Sequence, residues 1–380
     1  MQSLPVILVI GLGLLCSLQA RAQIVEIIDE TGDVNTFGDT LDQPWHFALG
    51  PGGDLFIADE EVGHIFQIDP AGAISTLTPL ELVYDVVVHA DGTLYATSAG
   101  FNRVYEVTPE GTATQLAQIP PGSGFATLVL NVAVDSAHNV YVAGQSFFLV
   151  DDYTLKIAPD GSMTPYIDAN GDGMGNTFSG AVGVAVDSED NVYVSGIGSN
   201  NVFKVTPSGT ISEIIDSSGD GAGNGLASPT GVAVGPEGSI YVSGSDNAFE
   251  IAPSGTITQI IDAAGDQMGQ ALEGSTSIAV DPGGNVYVAG ATSDNAFRIT
   301  PNGTITQIID SAGDGQGNPL SFPFDVAVSN EGRVYVLGLG SKNAFEINMP
   351  NVPLLSLGGI AMLISAFGIA GFRSLARRAT

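Results

Sequence analysis

A four-strand pattern recurs along nearly the whole chain, and no other feature restricts its fold so strongly. The last copy shows the unit: Ile305-Thr-Gln-Ile-Ile-Asp310, a Gly/Asp loop through Asn318, then Phe324-Asp-Val-Ala-Val328, Arg333-Val-Tyr-Val-Leu-Gly338 and Asn343-Ala-Phe-Glu-Ile347. Four short strands per copy define a propeller blade. The first strand of each blade, strand a, is centred on Ala48, Val87, Ala133, Ala185, Ala233, Ala279 and Ala327, at intervals of 39 to 52 residues, which makes seven blades. Strand b recurs as Leu55-Phe-Ile-Ala58, Val140-Tyr-Val-Ala143, Val192-Tyr-Val-Ser195 and Val286-Tyr-Val-Ala289. Such β-branched and aromatic alternation suits a sheet covered on both faces by neighbouring blades. Strand c ends in Pro-x-Gly turns at Pro70, Pro109, Pro159, Pro207, Pro253 and Pro301. There Pro presets φ and Gly takes a conformation that other residues avoid.

The seventh copy stops after Ile347 without its outer strand d. Ile24-Val-Glu-Ile-Ile-Asp29 matches Thr306-Gln-Ile-Ile-Asp310 almost residue for residue, so the N-terminal strand is expected to complete the last blade. Closure of that kind removes the free sheet edges that invite aggregation. The fold class expected is therefore all-β, a seven-bladed β-propeller closed by its N-terminal strand over residues 23–350, with one C-terminal transmembrane helix beyond it.

Composition agrees with many short strands and tight turns: 50 Gly, 20 Pro and only 13% charged residues. Four of the ten basic residues, Arg21, Arg373, Arg377 and Arg378, lie in the terminal segments, so residues 23–350 carry 6 Lys plus Arg against 41 Asp plus Glu, a net charge of −35. A surface this acidic repels phosphate backbones and excludes nucleic acid as a partner class, while cations and basic proteins remain compatible with it. The single cysteine, Cys16, precedes the propeller, so ring closure has to come from strand pairing and not from a disulfide.

Residues 1–22 read as a secretory signal peptide: positions 4 to 18 are almost wholly apolar, and Ala20-Arg21-Ala22 sets small residues at −3 and −1 before Gln23. Residues 351–380 read as a hydrophobic anchoring or sorting segment. Val352 to Phe372 carry no charge and are followed by Arg373, Arg377 and Arg378, long enough to span a bilayer with a cytoplasmic C-terminus. The run Val352-Pro353-Leu354-Leu355-Ser356, an apolar stretch and an arginine cluster resembles bacterial PEP-CTERM sorting signals in the variant that opens Ile-Pro-Thr-Leu-Ser; a plain tail anchor is the alternative. The expected location is the periplasmic side of the membrane, the cell surface, or the medium after tail processing.

The blade pattern, with Val-Ala-Val, Asn-Val-Tyr-Val, Asn-x-Phe-x-Ile and Pro-x-Gly in turn, resembles NHL-repeat propellers and, more distantly, those of the SMP-30/gluconolactonase and streptogramin-lyase type. It spans residues 24 to 348 and implies the fold far more than any one activity. In a blade of this kind the d-to-a and b-to-c connections share one face. Five d-to-a loops carry Asp-x-x-Gly-Asp: Asp29/Asp33, Asp168/Asp172, Asp216/Asp220, Asp262/Asp266 and Asp310/Asp314. Asp168, Asn170 and Asp172 match the first three oxygens of a calcium loop, which makes Ca2+ or another divalent cation the candidate cofactor, although no loop supplies the distal Glu. Carboxylates capping their own turns account for the same pattern with no ion.

The residue opening strand a in blades one to seven is His46, Asp85, Asn131, Gly183, Gly231, Ser277 and Asp325. Blade seven adjoins blade one, so Asp325, His46, Asp85 and Asn131 form a continuous polar arc at the channel mouth. The gluconolactonase resemblance implies a divalent metal held by carboxylates and an Asn, for which Asp85, Asn131 and Asp325 are the analogous groups. The streptogramin-lyase resemblance implies two His and a Glu near the channel, where His46 alone is well placed, because His64, His89 and His138 fall in or beside inter-strand turns. Two functional expectations follow. The first is a monomeric, non-catalytic recognition or scaffold module that binds a protein or carbohydrate on its acidic loop face; the other is a metal-dependent hydrolase or lyase working at the channel mouth. On either, a ligand or metal site is expected on the d-to-a face.

Overall fold

The computed structural model describes residues 22–30, 40–119, 128–145 and 154–349. The leader, the tail and Asp33 lie outside them, and no helix among the described residues is long and apolar enough to cross a membrane. Seven four-stranded sheets follow one another around a ring. Their innermost strands are Pro44–Leu49, Val83–Val88, Leu128–Val134, Ala181–Val186, Val232–Val234, Ser275–Val280 and Pro323–Val328.

Strand b is where the sequence pattern becomes packing. Val192–Gly196 and Val286–Gly290 are buried along their whole length, since both of their faces meet neighbouring strands. Strand c adds a buried Phe in blade after blade, at Phe66, Phe203, Phe249, Phe297 and Phe345. Full burial of such a side chain stabilises by about 1.5–3 kcal/mol. Because each inter-blade core draws residues from two blades, as Tyr193 joins Ile240, Val242 and Phe249, no blade buries its apolar surface alone.

The ring closes as the sequence indicates. Gln23–Ile28 is the outer strand of the last sheet, beside Asn343–Asn348. Ile28 enters one apolar cluster with Phe47, Leu55, Tyr335, Leu337 and Ala344, which belong to blades one and seven. Asn343 Nδ2 donates to Glu26 Oε1 at 2.8 Å, and Lys342 forms an ion pair with Asp42 across the same junction.

Six innermost strands carry a β-bulge or register irregularity one residue before, or at, the mouth position, as between Pro44 and His46, Val83 and Asp85, and Pro323 and Asp325. A bulge inserts an unpaired residue and turns the next side chain, so strand a re-aims at the channel mouth. The loop face above it is held by a second repeated device. Asn201, Asn247, Asn295 and Asn343 each donate Nδ2 to a d-to-a loop carbonyl, of Thr177, Gly225, Ala271 and Pro319, at 2.9 to 3.0 Å.

Candidate functional site

The channel mouth opens into a cavity of about 340 Å³ lined by His46, Asp85, Asn131, Gly183, Ser277 and Asp325 among others. The seven positions that the repeat aligns thus share one cavity wall. At its centre, His46 Nδ1 lies 3.5 Å from Asp325 Oδ2 and 4.0 Å from Asp85 Oδ1. Asn131 lines the cavity in the next blade.

Each of the two carboxylates also joins blades. Asp325 Oδ2 accepts the Phe47 N–H of blade one at 2.8 Å, while Oδ1 accepts the Val326 N–H at 2.8 Å and the Ser277 hydroxyl at 2.6 Å. Asp85 Oδ2 accepts the Val132 N–H of blade three at 2.8 Å and Oδ1 the Val86 N–H at 2.7 Å. Strand a is the edge of each sheet, so the N–H groups on its open side have no ladder partner, and a buried donor needs one. A strand-b hydroxyl serves a different donor, the N–H of the mouth residue itself: Ser195 Oγ and Ser243 Oγ accept the Gly183 and Gly231 N–H groups at 2.8 and 2.9 Å, and Thr97 Oγ1 accepts that of Asp85 at 3.2 Å. A Cβ on Gly183 would stand 2.4 Å from Thr230 O, which explains the small residue there.

Burial sets the electrostatics of the arc. It pulls the His46 pKa down, but the Asp85 and Asp325 carboxylates outweigh it, so the imidazole holds its proton above its ordinary range. Burial pushes Asp85 up to about 6 against the opposing pull of His46 and the Val132 N–H. The His46 ring lies between the two carboxylates, and every carboxylate oxygen has a backbone donor.

Sequence reasoning missed the aromatic half of the mouth. The residues just before the arc in blades seven, one and two are Phe324, Trp45 and Tyr84. Trp45 stacks on Tyr84 at 4.9 Å and meets Phe324 edge-on at 4.8 Å, and both of those rings lie 5.4 Å from His46. Trp45 Nε1 donates to Glu60 Oε2 at 2.8 Å. Aligning one residue earlier in the repeat would have shown three aromatics in adjacent blades.

The loop carboxylates turn inward to their own backbones. Asp168 Oδ1 accepts Asn170 N–H at 2.9 Å, while Asp172 accepts Met174 N–H at 2.8 Å and Asn176 Nδ2 at 2.7 Å. Asp216 and Asp220 do the same with Ser218 and Ala222, and Asp310 and Asp314 with Ala312 and Gln316. The glycine of the motif has its own cause. Gly171 sits at φ +60°, and a Cβ there would lie 1.9 Å from Asn176 O and 3.0 Å from the Phe203 ring, so the loop folds tightly over the strand-c phenylalanine. Turn chemistry and packing therefore account for Asp-x-x-Gly-Asp.

His64 begins strand c of blade one, away from the arc. His89 and His138 lie, as expected, in a-to-b turns, but the structure brings them together beside Asp91 at the opposite end of the strands from the channel mouth.

No family model matches the sequence, and no curated protein does. Solved structures share the fold. A streptogramin B lyase is 15% identical with a TM-score of 0.66, over 86% of this chain and 97% of that one. Virginiamycin B lyase from Staphylococcus aureus gives 16% and 0.66 over 87% of this chain and all of that one. A gluconolactonase from Xanthomonas campestris gives 13% and 0.52 over 89% and 93%.

Proposed function

We propose that the chain is an exported, envelope-associated recognition module that binds a polar ligand of saccharide type at the channel mouth, without catalysis. One observation carries this reading: Phe324, Trp45 and Tyr84 form a continuous aromatic wall beside the Asp325–His46–Asp85 arc. Aromatic faces cover the apolar face of a sugar ring, and a few fixed polar groups at the cavity edge orient its hydroxyls. Trp45 is the only tryptophan in the chain, so its fluorescence reports on the mouth alone. Titration with mono- and oligosaccharides should shift its emission, and Tyr84→Ala with Phe324→Ala should abolish the shift. Silence toward the whole panel, or undiminished binding by the double variant, would refute the reading.

The export half of the proposal rests on residues 1–22 and 351–380. It requires the chain to leave the cytoplasm and to sediment with membranes while its tail is attached; full-length protein wholly in the cytosolic fraction contradicts it.

A second reading is supported by the buried histidine. His46, kept protonated between two carboxylates, can act as a general acid in a lyase or hydrolase. The virginiamycin B lyase of S. aureus has a catalytically inactive histidine-to-alanine form solved with quinupristin. The two readings separate on His46→Ala. Turnover of any bound ligand that this variant abolishes while binding persists identifies an enzyme.

A further inference from the structure

We propose that His89, Asp91 and His138 form a site for a divalent transition metal of the zinc class, which clamps blade two to blade three at the end of the propeller opposite the channel mouth. One donor atom from each residue lies within 4.8 Å of the others. His89 Nδ1 is 2.8 Å from Asp91 Oδ1, and His138 Nε2 is 3.4 Å from Asp91 Oδ2. Bonds of 2.0–2.2 Å in a tetrahedral site set ligand atoms about 3.3 Å apart, so small side-chain rotations suffice to close the set. Two imidazoles and one carboxylate suit zinc, cobalt, nickel or copper better than calcium or magnesium. His138 and Asp91 are partly exposed, which leaves a path for the ion and a position for water.

The repeat itself marks these residues as departures. In blades three, four and six the turn begins with Asp135, Asp187 or Asp281, whose carboxylate accepts the hydroxyl of strand-b Tyr141, Tyr193 or Tyr287 at 2.9 to 3.1 Å. Blade two has His89 at that place. Its tyrosine, Tyr95, instead reaches across the blade boundary and bonds His138 Nδ1 at 2.8 Å, leaving Nε2 for Asp91. An outer-shell bond of this kind fixes the ring orientation of a metal-binding histidine. His138 replaces glycine. The same turn position holds Gly53, Gly92, Gly238, Gly284 and Gly332 at φ between +76° and +92°, and Asp190 at +61°, whereas His138 adopts +63° in a region unfavourable to large side chains. Two substitutions in adjacent blades bring the rings to 3.9 Å with a carboxylate between them.

The test uses the purified full-length chain and zinc ions, read by calorimetry and thermal melting. Wild type should bind one equivalent at micromolar zinc and melt higher with it. His138→Gly restores the residue that sibling turns carry, and His89→Asn keeps a turn-capping side chain, so both should fold and both should lose binding and the melting shift. His64→Gln in strand c of blade one, outside both sites, should keep both. Absence of zinc binding by wild type overturns the proposal, as does binding retained by the two turn variants or lost in His64→Gln.

Discussion

Replacing Asp325 with alanine tests whether the arc is first a backbone staple or first an ion pair. The change removes the acceptor of two buried N–H groups, those of Phe47 and Val326, each at 2.8 Å, and takes one of two carboxylates from His46. The Ser277 hydroxyl can rotate to another partner. Each orphaned buried donor costs about 1–3 kcal/mol, so the loss should be about 2–6 kcal/mol. At roughly 2 °C per kcal/mol for a domain of this size, the melting temperature should fall by about 4–12 °C. A cycle with His46→Ala divides the two causes. The staple predicts that more than half of the Asp325→Ala cost persists in the His46→Ala background, because Phe47 and Val326 still lose their acceptor. A loss under about 1 kcal/mol, or one that vanishes with His46, refutes this reasoning.

Two other outcomes follow from the same geometry. His46 has a folded pKa above its unfolded value of about 6.5, so its stabilisation is complete below that pH and is lost as pH rises through the raised value. Carboxylates, Asp85 included, are ionised by about pH 7, so denaturant melts should show stability falling as pH rises above neutrality, with the slope removed by His46→Gln; a flat or rising wild-type curve contradicts the assignment. Deleting Gln23 to Asp29 exposes Asn343–Asn348 as a sheet edge and removes Ile28 from the junction cluster, so the whole ring should lose stability or aggregate. Melting of the deletion variant together with the intact protein would disprove closure by this strand.

The fold was legible because its signals are periodic and local. Val-Tyr-Val in strand b, Pro-x-Gly after strand c and the displaced Ile24–Asp29 strand are each read within six residues, and seven repetitions average out the ambiguity of any one copy. The polar arc was legible for the same reason, since aligning the copies puts Asp325, His46 and Asp85 side by side. Its chemistry was not. That Asp85 and Asp325 serve the N–H groups of Val132 and Phe47 depends on how the open edges of adjacent innermost strands face one another, which leaves no compositional mark. The pairing of His89 with His138 was hidden by a different cause: the residues are 49 positions apart, and each looked like ordinary turn filling in its own blade.

A ring of near-identical blades surrounds its axis with equivalent groups, so a site with distinct roles arises only where copies differ. Blades four to six keep the frame: glycine or serine at the mouth, with Ser195 and Ser243 accepting the N–H groups of the glycines. Blades seven, one and two replace those small residues with Asp325, His46 and Asp85 and set Phe324, Trp45 and Tyr84 beside them. Burying an imidazolium and two carboxylates costs desolvation energy that small residues would not incur. The bonds from Phe47 and Val132 offset part of that cost, and the serines of blades four and five are no substitute for them, because they accept a different donor, the N–H of the mouth residue itself, as Thr97 Oγ1 does for Asp85 in blade two. On the proposed reading the charges therefore have two tasks, joining the backbones of neighbouring blades and orienting a ligand against the aromatic wall on the same side of the channel.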